Sequence, residues 1–424
     1  MVELTPSVLR LAKETETELR EEFEKIDERA FQNQMKVLNA FREERVSTEC
    51  FNPTTGYGYD DMGREALDRI WARVMEAEAA FVRHSILSGT HALTVGLFGL
   101  LRPGDTMLAV TGTPYDTLRS VIGITGKDGN GSLKDFGIHY EEIELKEDST
   151  LDEEAIRRRL RAGDVKMVYL QKSPGYSTRR PLGNHIVKRA VELVREMKSQ
   201  AYVVVDNCYA EFCEEHEPPY YGADLCIGSL IKNPGGGMAE SGGYLAGTKE
   251  AIEKCAQRYS CPGIGLEIGA SLGHTKSIYK GLFYAPHTVA QALKTAVFSA
   301  ALFEKMGYEV IPSKGEPRFD IVQQISLKDG KKVEGFCRGL QSASPVDSHV
   351  TPIPWAMPGY QDEVIMAAGA FTQGSSIELS ADAPMRYPFT VYMQGGLTYE
   401  SGRLGILAAA QEVINIDSLN SEKL

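Results

Sequence analysis

Val203-Val204-Val205-Asp206-Asn207 and Leu225-Cys226-Ile227-Gly228-Ser229-Leu230-Ile231-Lys232 decide the reading of this chain. Each begins as a short apolar run of strand length and ends in a polar side chain. Apolar runs without alternation belong to strands covered on both faces, as in a parallel sheet between helices. Open sheets of that kind bind ligands beyond the carboxyl ends of their strands. Asp206 and Lys232, 26 residues apart, are therefore expected at one edge of one sheet. A carboxylate at the end of an apolar strand is costly unless it has a partner.

Working outward, further short apolar runs alternate with helical spacing. Phe81 to Leu87, Thr106 to Thr111, Ile138 to Leu145, Met167 to Gln171 and Tyr244 to Gly247 read as strands, with a helix opening at Ser88-Gly89-Thr90. The pattern predicts a mostly parallel α/β sheet with helices on both faces. Before it, residues 6 to about 45 carry Leu19, Phe23, Ile26 and Ala30 at helical spacing, read as a surface helix packed on the body; an exchange arm lying on a partner subunit is the alternative. Residues 46–60 are turn chemistry, and a helix resumes near Gly63. A helix is predicted over Val289 to Met306, followed by strands and helices of a different character at Glu309 to Pro312, Phe319 to Ser326, Val333 to Gln341 and Ser376 to Glu378. The expected organisation is an N-terminal helical arm (1–60), a large domain (61–289) and a smaller α+β domain (290–424). The length of 424 residues agrees with more than one core, since single cores stop growing near 250–300 residues.

Composition narrows the function. The chain carries 46 basic and 58 acidic side chains, a net charge of −12. No basic stripe is present, which argues against a nucleic-acid partner; one phosphate group still needs only local donors. Seven cysteines without a Cys-x-x-Cys pair and eight scattered histidines point away from a disulfide framework and from a zinc site. The N-terminus lacks the apolar core of a signal peptide, and no apolar run is long enough to span a bilayer. The expected location is the cytoplasm, with no membrane partner and no metal.

Four features share the predicted ligand edge. Ser88-Gly89-Thr90-His91 turns from strand into helix, where glycine admits an oxyanion close to free backbone N–H groups. Asp206 can face a protonated pyridine nitrogen and keep the ring cationic, an electron sink. Lys232 can form a Schiff base with an aldehyde from a desolvated pocket, with the Ser229 hydroxyl available to a phosphate. Asn233-Pro234-Gly235-Gly236-Gly237 and Ser241-Gly242-Gly243-Tyr244 supply glycine-dense turns around it. Singly, each has a plainer role: a helix cap, a loop aspartate, a solvated lysine, a flexible loop. Together they describe a site for pyridoxal 5′-phosphate (PLP). Neither a P-loop nor a dinucleotide fingerprint is present.

This order of motifs resembles fold-type I PLP-dependent enzymes, within them the cystathionine/methionine lyase group of Cys/Met metabolism, and closest the cystathionine β-lyase-like "aluminium resistance" branch. Stretches that carry the resemblance are Gly56-Tyr57-Gly58-Tyr59-Asp60-Asp61, Ile227 to Gly236, Ser344-Pro345-Val346-Asp347-Ser348-His349 and Tyr392-Met393-Gln394-Gly395-Gly396-Leu397-Thr398. It spans about residue 50 to the C-terminus. The resemblance implies a phosphate cradle at Ser88, Gly89 and Thr90, a ring-stacking tyrosine at Tyr115, the pyridine partner at Asp206, a phosphate ligand at Ser229 and the Schiff-base lysine at Lys232. It also implies a tyrosine and an arginine reaching the phosphate from a neighbouring subunit. Tyr57 fits the first; Tyr59 stands where the arginine is expected, with Arg64 as a substitute by guess. Ile231 replaces a threonine that would add another hydroxyl. A homo-oligomer follows, a dimer whose subunits share active sites and that pairs into a tetramer.

Two further residues come from chemistry. Gln171 is placed where its amide can meet the cofactor's ring hydroxyl. A substrate α-carboxylate calls for an arginine fork; Arg386 is the candidate and Arg403 the alternative. The expected activity is cleavage of a carbon–sulfur bond of an amino acid by β- or γ-elimination, with the released Lys232 amine as general base. Transamination or another PLP reaction, and a PLP-holding stress-response protein with little turnover, are the rival readings.

Overall fold

The computed structural model describes residues 3–357 and 362–421. Seven strands form the first sheet: β1 (Ala79–Arg83), β2 (Thr106–Ala109), β3 (His139–Glu142), β4 (Val165–Gln171), β5 (Tyr202–Asp206), β6 (Leu225–Ser229) and β7 (Gly243–Gly247), in the order β1-β7-β6-β5-β4-β2-β3. The pairs from β6 through β3 are parallel. β7 runs antiparallel to both β6 and β1, so the sheet is mostly parallel, as expected. Residues 230–242 join β6 to β7 and hold a 3-10 turn at Asn233–Gly235 in place of a crossover helix.

Coverage on both faces explains the unbroken apolar runs. Tyr202 and Val204 of β5 pack into one cluster with Leu93, Leu97 and Ile227. Val203 and Val205 point the other way, into a cluster with Ile186, Val187 and Val191 of the helix Asn184–Glu196. Burying each such side chain contributes roughly 1.5–3 kcal/mol, so a register slip, which exchanges the two faces, is strongly disfavoured.

A second, antiparallel sheet contains β8 (Glu309–Ile311), β9 (Val322–Ser326), β10 (Val364–Ala367), β11 (Ser380–Pro384) and β12 (Thr390–Gln394), ordered β10-β11-β12-β9-β8. Its third predicted strand lies at Ser380–Pro384 rather than Ser376–Glu378, and Val333 to Gln341 falls in the helix Gly330–Ser342. The long helix also begins earlier than its spacing suggests, spanning Thr275–Lys305 with Pro286 inside it. Proline normally ends a helix because it lacks an N–H; here the first turns are held by packing, with Ile278, Tyr279, Leu282 and Ala285 buried. This helix passes through residue 290, so the chain moves between the sheets along a continuous helix.

The glycine-dense turn after Lys232 has a packing role. A Cβ at Gly236 would collide with the Gly281 carbonyl, and one at Gly281 with the Gly235 carbonyl. The N-terminal segment forms helices Pro6–Glu18 and Arg20–Glu43, with Ile26 and Val37 buried and the Asn33 amide donating to the Phe212 and Glu214 carbonyls. It packs on the body of its own chain.

Candidate active site

The carboxyl ends of β4, β5 and β6 form one edge. Gln171 pairs in register with Asp206, and Asp206 with Ile227. Lys232 follows β6 by a single turn, placing its amine over the Tyr209 ring, 4.0 Å from the centroid. The helix Gly89–Leu100 starts against the same spot: a Cβ on Gly89 would lie 3.5 Å from Ser229 Cβ and 3.9 Å from Lys232 Nζ. Gly89, Ser229 and Lys232 thus converge from two elements. The missing side chain at Gly89 leaves that corner open.

Asp206 is buried; its Oδ1 accepts from the Cys208 N–H at 3.1 Å and its Oδ2 from the Tyr169 hydroxyl at 3.4 Å. Burial raises its pKa, against the pull of Lys232, the Cys208 N–H and Tyr169. Burial opposes the Lys232 ammonium in turn, and Cys208, Tyr209, Asp206 and Glu211 outweigh it, so the amine stays above the ordinary lysine value. Cys208 itself is held well above the usual thiol range by burial.

The remaining predicted residues distribute around this centre. The Ser88 hydroxyl accepts from the His91 N–H at 3.1 Å and caps the helix, and Thr90 Oγ1 hydrogen-bonds Thr117 Oγ1 at 2.7 Å. Tyr115, Gln171 and Arg386 line one cleft of about 210 Å³, together with Arg119, Tyr176 and Asp362. Gln171 spends its amide locally: Oε1 accepts from the Tyr115 N–H at 2.8 Å, and Nε2 donates to the Ser173 carbonyl at 2.8 Å. That fixes the Tyr115 turn rather than presenting the amide to a ring hydroxyl. Arg386 sits half-exposed at the cleft mouth, donating to Asp362 at 2.9 Å. Arg403 is not among the residues of that cleft and pairs with Glu16 at 2.9 Å. Tyr57 and Tyr59 are exposed at 66% and 62%, with ring centroids 5.5 Å apart. Arg64 is buried and donates to the Gly58 and Gly269 carbonyls at 2.7 and 2.8 Å; it braces the loop that carries the two tyrosines.

Several site residues escaped the sequence reading. Tyr209 has a left-handed φ of +73°, unusual for an aromatic residue and common at functional sites. Its carbonyl accepts from the Asn233 amide and the Ile321 N–H. Its position three residues after Asp206 was the available signal. Tyr176 meets Tyr115 edge-on at 5.9 Å and Tyr392 at 5.2 Å. Arg179 donates to the Gln171 and Ser173 carbonyls at 2.7 Å, and burial lowers its pKa to about 10. Asp382 of β11 is buried, accepts from Gln394 at 3.2 Å and hydrogen-bonds Tyr176, and burial pushes its pKa up to about 6. An aspartate between alanines on a strand was its only signal.

The residues fit PLP on observations of this structure. Ser229 Oγ is buried without a hydrogen-bond partner, a Cβ at Gly89 would fill the adjoining corner, and a buried carboxylate and lysine share the edge. The architecture is that of fold-type I PLP-dependent enzymes. The Escherichia coli PLP-dependent protein YhfS shares the fold alone, at TM-score 0.62 and 16% identity over 91% of this chain and 96% of that one. Within that class, the chain belongs to the methionine gamma-lyase family, which matches residues 8–414. A carbon-sulfur lyase involved in aluminum resistance from Clostridium novyi NT is 48% identical with TM-score 0.93, covering 96% of both chains. YnbB of Bacillus subtilis strain 168, an uncharacterized protein, is 46% identical over 98% of this chain and 97% of its own length. Among the described residues no group of three His, Cys, Asp or Glu side chains is placed to hold a metal ion, and no helix is long and apolar enough to cross a membrane.

Proposed function

We propose that the protein is a PLP-dependent carbon–sulfur lyase that cleaves a sulfur-containing amino acid by elimination at the β or γ carbon. The observation that carries the reading is the convergence of Gly89, Ser229 and Lys232 beside the buried Asp206. Family membership and the likeness to the Clostridium novyi lyase support it.

In this reading the helix N-terminus at Gly89–Thr90 and the Ser229 hydroxyl hold the phosphate, and Lys232 holds the aldehyde carbon. When bound, the cofactor supplies a cationic ring that takes up the electron pair left at the substrate α-carbon. Asp206 keeps the ring nitrogen protonated. Lys232 Nζ, once displaced by the substrate amine, removes the α-proton. Tyr115 would cover the ring, Arg386 would receive a substrate carboxylate, and loss of a thiol followed by addition of one water would give a keto acid and ammonia. The exposed Tyr57 and Tyr59 complete the phosphate site of a second subunit, in a homodimer that pairs into a tetramer. Seven free thiols, six of them buried, favour the reducing cytoplasm.

The test is a product profile. Purified protein with PLP and a panel of thioether amino acids is expected to release thiol, keto acid and ammonia without an added keto acid. Turnover that requires a keto-acid co-substrate indicates an aminotransferase. No product on any member of the panel refutes the lyase.

A further inference from the structure

Arg64 and Arg83 are both buried, at 5% and 3% exposure, yet three of their N–H-bearing nitrogens have no partner: Arg64 Nε, Arg83 Nε and Arg83 Nη2. Guanidinium donors left unmatched in a protein interior are costly. The two side chains border a single small cavity of about 30 Å³, closed also by His84, Ser85, Gly269 and Ser271. One water needs roughly 10–15 Å³ of such space, so the cavity has room for about two waters or a single halide ion. Gly269, with φ +131°, shows that both guanidinium groups face this space: a Cβ there would lie 3.8 Å from Arg83 Nε and 3.9 Å from Arg64 Nη1.

The chemistry of the lining selects the guest. Arg83 Nη1 donates to Asp68 Oδ1 and to the Val82 carbonyl, both at 2.7 Å. Asp61, the other carboxylate near Arg64, is spent on the Arg64 N–H at 2.9 Å and on the Thr54 hydroxyl. Glu65 is half-exposed and 3.6 Å from Arg64 Nη2. Ser85 pairs with Tyr259, the Ser271 hydroxyl accepts from the Thr54 N–H at 3.1 Å, and His84 stacks on His274. Every buried, unmatched side-chain polar atom of the lining is therefore a donor. A water would bring two hydrogens of its own that need acceptors; an anion only accepts.

We propose that Arg64 and Arg83 form a binding site for one small monovalent anion of halide size. Its consequence lies in the aromatic loop. Arg64 Nη1 clamps the carbonyl of Gly58, between Tyr57 and Tyr59, and that of Gly269. An anion that neutralises and fixes the guanidinium fixes this loop, which stands apart from Lys232 and Asp206. The site is independent of the lyase reading and its test requires no turnover.

Two measurements decide it. Crystals of the full-length protein grown or soaked in bromide are expected to show an anomalous peak within hydrogen-bond distance of Arg64 Nε and Arg83. In solution, chloride replacing gluconate at constant ionic strength is expected to raise the unfolding midpoint saturably by about 2 °C. Arg83→Lys keeps the Asp68 pairing and is expected to lose the chloride response. Water alone at the site in bromide crystals, or equal midpoints in chloride and gluconate, overturns the proposal. The two wild-type measurements stand even if the variant does not fold.

Discussion

Gly89→Ala separates cofactor binding from folding. The added methyl would meet Cys208 Sγ at 3.2 Å, Ser229 Cβ at 3.5 Å and Lys232 Nζ at 3.9 Å. Only the first contact is tight, and a small shift of the thiol relieves it. Alanine also gains up to about 1 kcal/mol of helix propensity over glycine, less in a first turn. The two effects oppose each other, so the net change in folding stability is expected within about 1 kcal/mol. The methyl nevertheless occupies the corner between Ser229 and the helix start, where a phosphate would take its N–H donors. Losing one charge-assisted hydrogen bond there costs about 1.5–3 kcal/mol, or a ten- to hundredfold weaker affinity for PLP. The assay titrates cofactor-free protein with PLP by absorbance, alongside thermal unfolding without PLP. Wild-type affinity in a normally folded variant would refute the placement of the cradle. Should the melt collapse instead, adding Cys208→Ala removes the tight contact and restores the comparison.

Other perturbations test the remaining assignments. Asp206→Asn keeps an acceptor for the Cys208 N–H and relieves a buried carboxylate, so it should fold and bind PLP but lose turnover on the order of a hundredfold; a normal kcat would exclude Asp206 as the ring partner. Arg386→Ala is expected to raise KM at least about tenfold with PLP affinity unchanged, whereas Arg403→Ala, which breaks only the Glu16 pair, should leave KM alone; the opposite pattern reassigns the carboxylate site. Asp382 has a carboxyl pKa raised by burial to about 6. The folded state therefore holds its proton more tightly than the unfolded chain, and stability falls as pH rises from about 4 to 6 and stays lower above. Asp382→Asn should remove that loss, by up to roughly 3 kcal/mol at pH 7 and little at pH 4; an equal difference in urea unfolding at both pH values would contradict the assignment.

The half of the site built by the first sheet was legible because its determinants are local. Val203 to Asp206 and Leu225 to Ser229 are unbroken apolar strands that fall next to each other in the sheet, so a carboxylate and a lysine at their ends meet with few other choices of topology. Ser88-Gly89-Thr90 could be placed by the same rule, as a helix start at a strand end. The direction of β7 was not legible, because a strand of Tyr, Leu and Ala is apolar whichever way it runs. The start of the helix Thr275–Lys305 was missed because Pro286 and Gly281 oppose helix on propensity, and the packing of Gly281 against the Gly235–Gly236 turn overrides them.

The other half of the site comes from segments far apart in sequence, and that distance is a physical property of the cleft. Gln171 ends β4 and Tyr115 follows β2, Tyr176 comes from the connection after β4, and Asp362 and Arg386 flank strands of the second sheet; behind this lining, Arg179 donates to the Gln171 carbonyl and Asp382 hydrogen-bonds Tyr176. None of the last five sits in a motif; each acquires its role from what it meets. Asp382 becomes a pH-sensitive group through burial beside Gln394 and Tyr176, and Arg386 becomes a candidate carboxylate fork by standing at the mouth opposite Tyr115. Under the proposed function, the cofactor end of the site is held at the edge of one sheet, while the substrate end is assembled across two. Substitutions among residues 362–386 should accordingly change which amino acid is cleaved, whereas substitutions at Gly89, Asp206, Ser229 or Lys232 should weaken cofactor binding or cofactor chemistry for every substrate alike. A variant library over Asp362, Asp382 and Arg386 that altered PLP affinity but never substrate preference would break that division.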